Sequence, residues 1–127
     1  MSARVVLGLV RDLFFRSKLD AVAESAGANL CYASDLEAAA RQCLDKHPEL
    51  VLVDLSDAAF PAAATAARLR AALPNSRIVG FASHVDLKPL RAARDAGFAL
   101  ALSRSEFTAR LPELLKESDS ESAKIRR

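Results

Sequence analysis

Val5-Val6-Leu7-Gly8-Leu9-Val10 is an unbroken apolar run rich in β-branched side chains. A strand with one wet face alternates polar and apolar positions. This run does not alternate, so it predicts a strand buried on both faces, as in a parallel sheet. Leu13, Phe14, Phe15, Leu19, Val22, Ala23 and Ala26 then recur at helical spacing, and Gly27 stands where helices favour a glycine stop. Residues 30–33 form a short second strand. Ser34 or Asp35 caps a second helix with Leu36, Ala39, Ala40, Cys43 and Leu44 on its inner face, ended by His47-Pro48.

The run Leu50-Val51-Leu52-Val53 is the cleanest buried strand in the chain, and Asp54 follows it directly. Pro61 suits the first turn of an alanine-rich third helix that reaches about residue 73. Pro74-Asn75 turns the chain into a fourth strand at 77–81. A fourth helix is expected over 86–96, stopped by Gly97, then a fifth strand over 98–102 and a fifth helix over 103–116. Pro112 inside that last helix demands either a late start or a kink. The adjacent Phe14 and Phe15 point about 100° apart on a helix, so one packs under the sheet and the other lies between helices or is partly exposed.

Five strands alternating with five helices through short loops predict a doubly wound α/β domain: a five-stranded parallel sheet, (βα)5, with helices on both faces. The 127 residues suffice for one domain. That domain is expected to span residues 1–117. From Ser118 the chain is polar apart from Ile125, so 118–127 reads as a disordered tail.

Composition narrows the function classes. Charged residues are 27% of the chain and the net charge is +2, with Lys and Arg spread about one per helical turn, which speaks against a nucleic-acid partner. No stretch approaches the ~20 apolar residues of a membrane span, and the first apolar run is too short for a secretory signal, so a cytoplasmic protein is expected. Cys31 and Cys43 read as small buried hydrophobes. They lack a CxxC or His/Cys spacing, and His47 and His84 fall near loops. With four glycines and no phosphate-cradle, GxSxG or HExxH motif, a ligand-binding or catalytic reading has little support, and no enzyme activity is expected. Ligands on such sheets collect at the carboxyl ends of the strands, which singles out Asp54.

The segment His47-Pro48-Glu49-Leu50-Val51-Leu52-Val53-Asp54-Leu55 resembles the third strand of a response-regulator receiver domain (CheY-like), where the terminal aspartate accepts a phosphoryl group. Arg91-Ala92-Ala93-Arg94-Asp95-Ala96-Gly97-Phe98 is similar to the fourth helix of that family and its Ala-Gly end. The resemblance covers about residues 4–115 and implies the flavodoxin-like fold. It also implies a set of site groups at the strand ends. Two acids after the first strand, with the phosphoacceptor, hold Mg²⁺; a Thr or Ser ends the fourth strand; a Lys follows the fifth.

Aligned on the flanking helices, the phosphoacceptor is Asp54. The acidic pair falls on Val10 and Arg11, with Asp12 adjacent. The hydroxyl position falls on Ala82, with Ser83 adjacent, and the lysine position on Arg104. The aromatic residue usual on the fifth strand falls on Ala101. The loop after Asp54 reads Ser56-Asp57-Ala58-Ala59-Phe60-Pro61 where the family has a Pro-Gly pair.

This is the pattern of a degenerate receiver, or pseudo-receiver. It implies a stand-alone signalling and interaction module, independent of phosphorylation, with no cofactor. Arg11 or Arg104 is expected to pair with Asp54 in place of the cation. Its partner would be another protein, met through a face that includes Leu87, Leu90 and Ala101, or a second copy in a homodimer. The alternative is a working single-domain response regulator. A histidine kinase or phosphotransfer protein would then phosphorylate Asp54 with Mg²⁺ bound, and Asp12 and Ser83 would complete the site.

Overall fold

A computed structural model describes residues 4–82 and 87–116. Ser83, the start of the fourth helix expected at Asp86, and the polar tail at 118–127 lie outside the described residues. The elements alternate as expected: β1 (Arg4–Leu9), α1 (Leu13–Ala26), β2 (Ala28–Tyr32), α2 (Leu36–Lys46), β3 (Leu50–Asp54), α3 (Ala62–Ala72), β4 (Arg77–Ala82), α4 (Leu87–Asp95), β5 (Leu100–Ser103) and α5 (Arg104–Lys116). All strand pairs are parallel, in the order β2-β1-β3-β4-β5. This is the flavodoxin-like doubly wound α/β fold.

Helices α1 and α5 cover one face of the sheet, and α2, α3 and α4 cover the other. Hence every residue of β3 is buried, which is why that run contains no polar residue before Asp54. Parallel order with a central β3 places the ends of β1 and β3 side by side, with Leu9 in register with Val53. The loops leaving those strands therefore meet. Gly80 in β4 is needed for close packing, because a Cβ there would lie 2.6 Å from Leu55 Cδ1 and 2.9 Å from Phe98 Cε2.

Local chemistry accounts for the boundaries. Asp35 caps α2 through its carboxylate on the Ala38 N–H, deciding between the two candidates. Gly27 adopts a left-handed φ of 74° at the end of α1, and His47 takes the same region at φ 48° after α2. A reciprocal capping box starts α5: the Glu106 N–H donates to Ser103 Oγ, and Glu106 Oε1 accepts from the Ser103 N–H. Helix α5 runs through Pro112 without interruption. Pro112 is exposed, so its ring meets solvent and only one backbone hydrogen bond is forfeited.

Three expectations need correction. Leu44 is 62% exposed, because α2 turns its Ala39, Ala40 and Cys43 stripe to the sheet and Leu44 lies outside it. Leu90 and Ala101 are buried in the core beside Phe98 and Ile78, so neither forms an outward partner face. Of that expected face, Leu87 alone is exposed. Cys43 is buried as expected, whereas Cys31 on the edge strand is only partly so. The two phenylalanines part as anticipated: Phe15 enters the core and Phe14 is 85% exposed.

Candidate functional site

Asp54 ends the most deeply buried strand, and the residue is only 6% exposed at the carboxyl edge of the sheet. Its Oδ1 accepts a hydrogen bond from the Ser56 N–H at 3.0 Å. The chain winds tightly after it. The Asp57 N–H donates to the Asp54 carbonyl, the Phe60 N–H donates to the Asp57 carbonyl, and buried Phe60 anchors the loop in the core. Burial pushes the Asp54 carboxyl above the usual carboxylate range. The Ser56 N–H and the charge of Arg104 draw it back in part, while nearby Asp57 and Asp12 push it further up.

Arg11 does not pair with Asp54. It forms a two-pronged ion pair with Asp57, Nε to Oδ2 at 2.7 Å and Nη2 to Oδ1 at 2.8 Å. This fork ties the β1–α1 loop to the β3–α3 loop across 46 positions of sequence. The Arg11 guanidinium lowers the Asp57 carboxyl, outweighing the effect of burial. Arg11 itself is half exposed, so the fork's strength is limited by solvent screening. The reason for the correction is geometric: Asp57 lies toward the mouth of the loops, whereas Asp54 is recessed at the strand end.

Asp12 is the N-cap of α1. Its Oδ1 accepts from the N–H groups of Phe14 at 3.0 Å and Phe15 at 3.3 Å. Val10 is wholly buried and Ala82 is 1% exposed. Arg104, the first residue of α5, also fails to pair directly with Asp54. Its guanidinium carbon sits 4.5 Å from the Phe15 ring centroid and 5.8 Å from that of Phe81, and its buried Nε has no hydrogen-bond partner among the described residues.

No family model matches the chain, and no curated protein matches it in sequence. Solved structures do. A response regulator from Thermotoga maritima superimposes with a TM-score of 0.76 at 18% identity, over 90% of this chain and 95% of that one. The chain has the receiver-domain fold. The receiver domain of a sensor histidine kinase from Pseudomonas aeruginosa, with a magnesium ion coordinated in its active-site cleft, gives 0.76 at 16% identity, over 91% of this chain and 96% of that one. A response regulator from Burkholderia pseudomallei, with a phosphorylated aspartic acid and a calcium ion, gives 0.73 at 17% identity, over 97% of this chain and 71% of that one.

The receiver fold raises the question of a divalent cation, and the residues here do not fit one. A hard cation needs several oxygen ligands converging on one point. At the end of β1 stand a buried aliphatic side chain, Val10, and a cation, Arg11. The Asp57 carboxylate is occupied by the Arg11 fork, and Asp12 Oδ1 by the α1 cap. Among the described residues no group of three or more His, Cys, Asp or Glu is placed to hold a metal.

Sequence reasoning found Asp54 but missed Asp57, the residue that decides what Arg11 does. It also treated Asp12 as a spare ligand. An Asp just before an apolar helical pattern is itself an N-cap signature, so that role had a readable signal. The Arg11–Asp57 pair had none, because it depends on two loops meeting in space.

The two aspartates predict opposite pH behaviour. Asp57 has a lowered native pKa, so its contribution to stability is present above the ordinary carboxylate pKa and fades as pH falls through the native value. Asp54 has a raised native pKa. Ionised Asp54 therefore weighs against the fold at neutral pH, and that burden is relieved as pH falls through its native value toward the ordinary one. Asp54→Asn keeps an Oδ1 acceptor for the Ser56 N–H and removes the charge. We expect it to be more stable than the wild type at pH 7, with the gap narrowing as pH falls through the raised native value of Asp54 and closed once pH reaches the ordinary carboxylate value. Thermal melts of both proteins across that range check it, and an Asn variant less stable at pH 7 contradicts it.

Proposed function

We propose that this chain is a receiver-like signalling and interaction module that works without phosphorylation and without a metal cofactor, and that it is not an enzyme. The observation that carries this reading is the place of the acidic pair, where Val10 is buried and Arg11 is forked onto Asp57. Phosphoryl transfer to a carboxylate brings two anions together. Their repulsion is about 4 kcal/mol per pair of unit charges at ~4 Å in a partly solvated pocket, and a divalent cation is what normally offsets it. Here the neighbouring acids Asp57 and Asp12 add to the negative field on Asp54 rather than holding a cation against it.

Without chemistry at the site, output rests on contact with another protein. No helix among the described residues is long and apolar enough to cross a membrane. Incubation of the protein with Mg²⁺ and acetyl phosphate, and separately with beryllofluoride, tests the proposal. The expected result is an unchanged intact mass, with no Mg²⁺-dependent change in the spectrum. Stoichiometric phosphorylation mapped to Asp54 would sink it in favour of a working single-domain response regulator. The retained Asp54 at the strand end, with the Arg104 charge acting on it, is what favours that second reading.

A further inference from the structure

Helices α1 and α5 lie side by side on one face of the sheet, and between their second halves runs a groove of about 310 Å³. Both helices follow parallel strands and run back toward the strands' amino ends, so the groove lies away from the Asp54 edge. Its walls are Ala21, Val22, Ser25 and Ala26 of α1 and Pro112 and Lys116 of α5. Pro112 is exposed and belongs to neither core cluster, so its apolar ring stands open in the groove. Charges of both signs surround this apolar floor. Lys18 and Glu24 stand one turn to either side of Ala21, and Glu113 precedes Lys116 by one turn. All four are exposed, and none has an ion-pair partner among the described residues.

A folded partner needs more surface than this: stable interfaces bury about 1,200–2,000 Å² through roughly 20–30 residues a side. The groove suits a short segment that carries one apolar side chain among charges. Residues 117–127 have that pattern. Ile125 is their one large apolar residue, Glu117, Asp119 and Glu121 precede it, and Lys124, Arg126 and Arg127 surround it. The segment follows directly on Lys116, which lines the groove. The chain from Lys116 to Ile125 can reach up to about 30 Å, far more than the ~6 Å rise from Pro112 to Lys116, so it can turn back over α5. We propose that the α1/α5 groove is the seat of this chain's own 117–127 segment. Ile125 packs against Val22, Ala26 and Pro112, the acids before it face Lys18 and Lys116, and the basic residues around it face Glu24 and Glu113. Tethering supplies an effective concentration of about millimolar, so modest contacts suffice to seat the segment. Any protein that uses this face of α1 and α5 then competes with it. The proposal does not depend on how Asp54 is used.

Nuclear magnetic resonance on the full chain tests this. We expect nuclear Overhauser contacts between the Ile125 methyl groups and those of Val22 and Ala26. We also expect Ile125→Asp to shift the amide resonances of Ala21, Val22, Ser25 and Ala26, while Ile125→Leu keeps them near their wild-type positions. Ala39 and Ala66, buried on the opposite face of the sheet, serve as references that stay in place. Absence of the Overhauser contacts, or groove resonances that are the same in the wild type and Ile125→Asp, overturns the proposal. In a mixture of labelled and unlabelled chains, contacts found only between copies also overturn it, in favour of a second copy as the occupant.

Discussion

Phe81→Ala lowers the unfolding free energy by about 3–5 kcal/mol. Phe81 is fully buried in β4, at the centre of the stack formed with Phe15 and Phe107. Truncation removes its own buried area, the ring-to-ring contacts and one support for the Arg104 guanidinium. The hole cannot close easily, because its walls belong to β4, α1 and α5, which are fixed by other contacts. A domain of this size has about 5–15 kcal/mol in all, so the variant would sit near the edge of folding. Urea titration followed by circular dichroism measures it as a lower midpoint at unchanged slope. Phe14→Ala is the matched comparison: that ring is 85% exposed, and its loss is expected to leave the midpoint within experimental error.

Pro112→Ala raises stability by about 2 kcal/mol. Proline in a helix interior is about 3 kcal/mol less favourable than alanine, because it lacks an N–H and its ring crowds the preceding turn. Proline also stiffens the unfolded chain, which returns up to about 1 kcal/mol to the wild type. Helix α5 continues from Arg104 to Lys116 through this residue, so an alanine N–H would restore the missing bond to the preceding turn. Because Pro112 is exposed, little packing is lost. It does line a shallow groove of about 310 Å³ between α1 and α5, with Ala21, Val22, Ser25, Ala26 and Lys116. A thermal melt shifted upward by several degrees is the expected outcome. A downward shift would mean that the ring's contact with α1 outweighs the backbone defect.

The structure limits how a partner can read this surface. Leu90 and Ala101 are core residues, so a partner meeting that side finds Leu87 and the polar faces of α4 and α5 instead. Elsewhere among the described residues the large exposed apolar side chains are Leu13 and Phe14 at the start of α1 and Leu44 on α2. Leu13 and Phe14 stand directly beyond the Asp12 cap, next to the Arg11 fork. The exposed apolar residues of this site edge are thus brought to the surface by the same turn that carries the ion pair.

The chain by itself determined the order and type of every element, because both signals involved are local. Non-alternating apolar runs mark strands buried on two faces, and helical spacing with Gly, Pro, Asp and Ser punctuation marks what lies between them. Parallel pairing followed from the crossovers, and Asp54 at a carboxyl end followed from the strand that precedes it. The Ser103–Glu106 capping box and the Asp12 cap were also legible as motifs, one unread and the other read as a ligand. Only the tertiary structure decided what the charged residues do. Arg11 met Asp57 rather than Asp54 because β1 and β3 are neighbours and their loops converge above a recessed carboxylate. Arg104 turned onto Phe15 because α1, β4 and α5 bring their aromatic rings to one point beside it. Hydrophobic patterning is set by each residue's own neighbours along the chain, whereas the partner of a charge is whichever group the fold places within a few ångströms.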